Sequence, residues 1–379
     1  MFQMRQLLIV PLAGLVLLGG CALTRSASTP APKTPFGSTP EPDAVDLGGL
    51  MIRMERDGVI GLDSYDGDQL FTLGLEAYSE EEYTVSLYVF DHLLQVFPEH
   101  SDRVPATWNM ALSAEKLGRI SEAIEGFTGY LDLVASTDGE EAAQARLRLG
   151  TLLQRESRYV EVLEVLDAPS AFVAYADYEV WELRALRAIA KGAMGSFDWA
   201  ENELNRVRME VKRTTRKTGE RFPYQAAMVW YLAGELDRLQ ARAVLLDSVD
   251  DLDLLDQKIG EKADLLITAR SRLKRAIEHG EPSWSGPAAL ALGAVYRDFR
   301  DDMLAAPSPT DLDAEQFVVY ERLVRERTEE FLQAAIKDYR AILAAAAGWQ
   351  LEAPWIAAIE DALTGCESEL EQDRSATAE

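Results

Sequence analysis

The sequence predicts an all-α chain: a stack of helical hairpins followed by a longer, irregular helical region. Three observations carry that expectation. A set of small and large residues recurs in four segments at steps of 37, 39 and 38 positions. Downstream, apolar residues fall at three- and four-residue steps through Asp313–Ala346, the spacing of one helix face. No segment alternates polar and apolar residues for long enough to make a strand. Apolar residues are 47% of the 379, which is ample for a packed core and excludes wholesale disorder.

The chain opens on a leader. Arg5 supplies a positive charge, Leu7–Leu18 is apolar apart from Pro11 and Gly14, and Leu18-Gly19-Gly20-Cys21 follows. A charged start, a short apolar run and small residues at a cut site make residues 1–20 a signal peptide. The apolar run is too short for a span, which takes roughly 20 residues. The Leu-Gly-Gly-Cys string resembles the lipobox of bacterial lipoproteins. That resemblance implies cleavage before Cys21 and lipid attachment on its sulfur and new amine, and several acyl chains anchor stably where one is marginal. Ala22 rather than Asp follows Cys21, which by resemblance to enterobacterial sorting implies the outer membrane, with the folded part facing the periplasm.

Residues 21–48 are rich in Pro, Ser, Thr and Ala, as in Ser28-Thr29-Pro30-Ala31-Pro32. Such a stretch builds no core and reads as a tether of roughly 30 Å root-mean-square reach. Beyond it the chain is strongly acidic. Its net charge is −26, and losing the leader removes Arg5 and no acid, giving −27. That charge argues against nucleic acid as a partner and against general adhesion to anionic lipid. Cys21 and Cys366 are the two cysteines, so a lipidated Cys21 leaves no disulfide framework. Cys366 reads as a bystander thiol at the start of a polar tail, residues 366–379.

The repeats occupy residues 49–205. Aligned on Ser86, Ala123, Val162 and Ala200, the segments carry Tyr83, Ile120, Tyr159 and Phe197 three positions earlier. Phe90, Phe127, Leu166 and Leu204 stand four positions later, and Gly74, Ala111, Gly150 and Ala188 twelve positions earlier. A small residue lets the two helices of a hairpin approach closely, and the large ones share a helix face and fill the gap to neighbours. One hairpin cannot bury both faces, so hairpins stack. Gly118 and Gly195 read as turn residues in two of them. The pattern resembles the tetratricopeptide repeat, best in Trp108–Leu131 with its Lys116-Leu117-Gly118-Arg119 turn. That family's period is 34, and the extra residues lie between hairpins, as in Phe97-Pro98-Glu99-His100-Ser101.

Residues 206–365 lose the repeat but keep helical patterning. Gln257–Ile277 and Leu290–Phe299 are helical segments, Pro307 and Pro309 break the chain, Asp313–Ala346 is one long helix, and Pro354 opens a last one. Trp284, Ala288-Ala289, Gly293, Tyr296, Phe299, Ala306-Pro307-Ser308-Pro309, Tyr320, Ala334, Tyr339 and Pro354-Trp355 look like the tail of tetratricopeptide lipoproteins from gliding delta-proteobacteria. That resemblance implies a place in an envelope-spanning motility complex.

Residues that carry chemistry are sparse. His92, His100 and His279 form no paired-ligand motif, and no phosphate loop, dinucleotide glycine pattern or nucleophile elbow is present. The Asp63–Asp68 stretch fails calcium-loop spacing. Asp247, Asp250, Asp251 and Asp253 read as a solvated helix end. The expectation is therefore no catalysis, cofactor or metal. The contrary patch is basic: residues 206–221 hold seven cations against Glu210 and Glu220. Lys212, Arg213, Arg216 and Lys217 at its centre either dock an acidic partner or lipid phosphates, or form the exposed extension of a repeat helix, and charge runs usually face water. The expected function is scaffolding: an outer-membrane-anchored lipoprotein that holds other envelope proteins on its repeat surface, in gliding motility by resemblance. Outer-membrane protein assembly or division-linked maintenance is the second binding reading. A cell-wall hydrolase is the rival of another class, and the sequence offers no paired carboxylate for it.

Overall fold

Each of the four aligned segments folds as a helical hairpin, and the second helix of each begins on the aligned large residue. Helices α1 (Gly67–Ser79) and α2 (Tyr83–Val96) form hairpin 1, and α3 (Arg103–Lys116) and α4 (Ile120–Leu133) hairpin 2. Hairpin 3 is α5 (Glu140–Arg155) and α6 (Tyr159–Leu166), and hairpin 4 is α7 (Asp177–Ala193) and α8 (Phe197–Thr218). The computed structural model describes residues 54–55, 58–59, 61–134, 139–167, 175–247, 251–309, 312–349 and 351–378. The expected leader, Cys21 and the expected tether lie outside the described residues. A two-residue antiparallel pair, Met54–Glu55 with Gly58–Val59, is the only sheet among them.

The small-residue columns sit where the helices touch. A Cβ on Gly74 would stand 2.7 Å from the Phe90 ring, and one on Gly150 3.3 Å from Leu166. The Ser86 hydroxyl donates to the Gly74 carbonyl at 3.0 Å. Ser86, Phe90, Ala111, Ala123, Phe127, Val162 and Ala200 are fully buried, whereas Tyr83, Tyr159 and Phe197 are half-buried at the hairpin ends.

The hairpin turns repeat as well. Glu81, Gly118, Ser157 and Gly195 each stand five positions before the aligned small residue, and each has a positive φ, between 58° and 93°. The next amide donates back five residues in every case: Glu82 to Ala77, Arg119 to Ala114, Arg158 to Leu153, and Ser196 to Lys191. This is the Schellman end, which favours Gly because a side chain strains the left-handed backbone. Glu81→Gly should therefore raise stability by about 1 kcal/mol. Gly118→Ala should lower it by at least as much, since its Cβ would also meet Pro354 at 2.9 Å. Thermal melts of the two variants check both signs.

The stack continues past the visible repeat in longer helices: α9 (Pro223–Ala243), α10 (Leu252–Glu278), α11 (Pro282–Ala305), α12 (Ala314–Ala345) and α13 (Ala353–Ala378). Small-against-large contacts persist. Gly234 lies under Leu273 and Gly293 under the buried Tyr339 ring. One continuous apolar core runs from Leu87 to Cys366, while hairpin 1 packs mainly around its own smaller cluster. Among the described residues no helix is long and apolar enough to cross a membrane.

Two expectations need correction. The boundary at 205/206 falls inside α8, which runs unbroken to Thr218. The polar tail is helix to Ala378, and Cys366 is buried in it rather than at a frayed end. The reason is pairing: Glu369 accepts from Arg297 at 2.7 Å and Asp373 from Arg300 at 2.6 Å, which ties the acids of α13 to α11. Burial also raises the pKa of the Cys366 thiol.

The connection into α13 returns to the second and third hairpins. Lys116 Nζ meets Glu352 Oε1 at 2.8 Å. The Arg155 guanidinium lies over both Trp284 and Trp355, at 5.6 and 5.3 Å from the ring centroids, and donates to the Ser283 carbonyl at 3.1 Å.

Candidate functional site

The basic run becomes one wall of a groove. The C-terminal half of α8 carries Arg208, Lys212 and Arg216 at four-residue spacing, which sets them on one helix face about 6 Å apart. Helix α10 presents Arg272 and Arg275, His279 caps its C-terminal end, and the loop into α9 adds Arg221. Val211, Phe222, Ala226 and Trp230 lie between, and the groove encloses about 1100 Å³. Lys212 and Arg216 line it. Arg213 and Lys217 do not, although both are exposed. The four central residues of the run are therefore split between two sides of α8.

The groove is poor in anions because nearby acids are already engaged. Arg184 accepts no share of the basic run's role but takes up its neighbours: it holds Glu203 at 2.6 Å and Glu210 at 2.7 Å. Glu201 holds Arg272 at 2.7 Å, with Asp237 3.1 Å from the same guanidinium. Among the described residues Glu278 is the single acid lining the groove. Lys212, Arg216, Arg221 and Arg275 make no ion pair with a described residue. Arg208 and Arg275 lie over Trp230, at 4.4 and 5.1 Å from its centroid. Arg208 otherwise donates to the neutral Asn205 side chain at 2.6 Å. Burial, and then the Arg272 and Arg275 cations, hold its pKa below the usual arginine value. Burial pushes the His279 pKa down, against the pull of Glu278.

Two buried acids flank this region. Burial pushes Asp237 up to about 7 against the pull of Arg272. It also pushes Glu182 up to about 7, although Gln225 donates to Glu182 at 2.6 Å and favours the anion. A carboxyl whose folded pKa is raised binds more protons folded than unfolded, so stability falls as pH rises from about 4.5 through 7. Glu182→Gln should remove part of that slope. Above pH 7 the variant should be more stable than wild type by roughly 2–3 kcal/mol, and below pH 4.5 the two should be alike. Urea midpoints across that range check it.

Sequence reasoning missed Trp230, Arg272 and Arg275, which approach the run only through folding. Elsewhere, Asp68, His100 and Asp102 offer the one cluster of metal-ligand type among the described residues. His100 Nε2 faces Asp68 at 3.1 Å while Nδ1 accepts from the Asp102 amide at 3.1 Å. The two ring nitrogens thus face the Asp68 carboxylate and the Asp102 backbone, and the ring latches the start of α1, packed hard on Gly67. In the acidic knot, Asp251 caps α10 by accepting from the Leu254 amide, and Asp247 pairs with Lys258 at 2.5 Å. Compared with known proteins, the sequence matches no family model and no curated protein.

Proposed function

We propose that the chain is a lipid-anchored scaffold that holds partner proteins at the periplasmic face of the outer membrane. Its hairpin stack is of tetratricopeptide type, Cys21 carries the lipid, and the work is binding rather than catalysis. The observation that supports this best is the groove of α8, α9 and α10: unpaired cations over apolar side chains, on a chain of net charge −26. Steering by such a patch speeds encounter with an acidic partner more than it deepens affinity. The likeness of the Trp284–Trp355 region to gliding-motility lipoproteins points to an envelope machine of that kind.

Two measurements test the reading. Cys21→Ser should abolish palmitate labelling and leave the precursor uncut; labelling that persists removes the anchor. Co-purification of the lipidated chain should recover envelope proteins whose association slows in Lys212→Gln/Arg216→Gln and loses salt dependence. Arg213→Gln/Lys217→Gln, outside the groove, should change the rate less. Recovery of no envelope protein would sink the scaffold.

A further inference from the structure

We propose that the groove is a receptor for an acidic, partly apolar peptide segment of a partner protein, gripped at its centre by the Arg208–Trp230–Arg275 stack. This deepens the scaffold reading and rests on it for the partner being a protein.

The stack has the form of a prepared anion site. A guanidinium lies over Trp230 from α8 and another from α10. Stacking of this kind fixes the planar forks and leaves their edges free to bind carboxylates in pairs. Neither Arg208 nor Arg275 has a carboxylate within the described chain to take up that capacity. The cations also repel one another across the groove, and a bound anion relieves that repulsion.

Shape selects a segment over a lone ion. From Arg208 to Arg216 the α8 row extends about 12 Å, too far for one phosphate to bridge. Its steps of about 6 Å match alternate residues of an extended peptide, which rises about 3.3 Å per residue. Between the rows lie Val211, Phe222 and Trp230, which suit apolar side chains interleaved with acids. Net charge adds contrast: a chain of −26 repels an acidic segment on average, while this groove attracts one.

The test uses the purified lipidated chain in neutral detergent and a labelled peptide of about eight residues in which Glu alternates with Leu. Binding should be salt-dependent, and a Gln-for-Glu peptide should bind at least about tenfold more weakly. Arg208→Gln and the exposed Arg275→Gln should each weaken binding roughly tenfold. Arg208→Lys should keep the association rate and speed dissociation, because charge is retained while the fork is lost. Arg275→Gln removes no internal ion pair and should melt as wild type, so it keeps the test valid even if Arg208→Gln is poorly folded. Equal binding of the Glu and Gln peptides, or wild-type affinity in Arg275→Gln, would overturn the proposal. So would tighter binding of inorganic phosphate or a short-chain phosphatidylglycerol at the same residues, which would make this a phosphate or lipid site. Envelope partners that co-purify equally well with Arg275→Gln would sink the groove and spare the scaffold. Peptide binding without any co-purifying partner would do the reverse.

Discussion

Trp284→Ala should cost about 3–5 kcal/mol, the range for emptying a large aromatic site in a packed core. Trp284 is fully buried near the start of α11 and is among the largest side chains so placed. Tyr224 and Tyr231 of α9 pack on it with centroids 5.6 and 5.4 Å away, and Arg155 of hairpin 3 covers it. It therefore joins the visible repeats to the later helices. Because three elements meet there, the site cannot collapse without moving one of them. Urea unfolding measures the loss, and a cost below about 1 kcal/mol would show that the neighbours refill the space.

Asp302→Asn should be nearly as damaging, and Lys262→Met much milder. Lys262 is buried to 1% side-chain exposure, and its ammonium meets Asp302 at 2.5 Å. Removing the acid leaves a cation without compensation in the core. The usual cost of that is about 3–5 kcal/mol, and the lower end applies because Asp302 keeps 31% of its exposure. Replacing the lysine with Met keeps its length and removes the buried charge, so the remaining acid can turn to water. Equal destabilisation by the two changes would mean that packing, not charge, sets the value of Lys262.

The hairpins were legible because interhelical contact restricts residue size. Gly74, Ala111, Gly150 and Ala188 must be small wherever the second helix crosses, and the crossing recurs at a nearly fixed spacing. The turn column was half hidden, since Gly118 and Gly195 announce a left-handed residue while Glu81 and Ser157 conceal one. The later hairpins use the same contact at other spacings. Phe90 follows Gly74 by 16 positions, but Leu273 follows Gly234 by 39 and Tyr339 follows Gly293 by 46, so no fixed period survives. The groove was legible only as the α8 charge run. Trp230 and Arg275 belong to other helices, and the stack they form with Arg208 exists only in three dimensions. The helical tail was hidden by its acids, whose partners Arg297 and Arg300 lie some seventy positions earlier.

The return of the Glu352–Trp355 segment to Lys116 and Arg155 changes how the molecule comes apart. An open array frays from either end, because each unit touches only its neighbours. Here Lys116 and Glu352 hold each other across 236 positions, which closes everything between them into a loop. A closure of that length is slow to form. Hairpin 1 stands outside the loop, built mainly on its own small core. Its amides should exchange first, through openings that leave the rest protected. If the proposed lipid on Cys21 holds the N-terminus, that hairpin is also where a pull arrives first. It would then unravel as a mechanical fuse, sparing the loop.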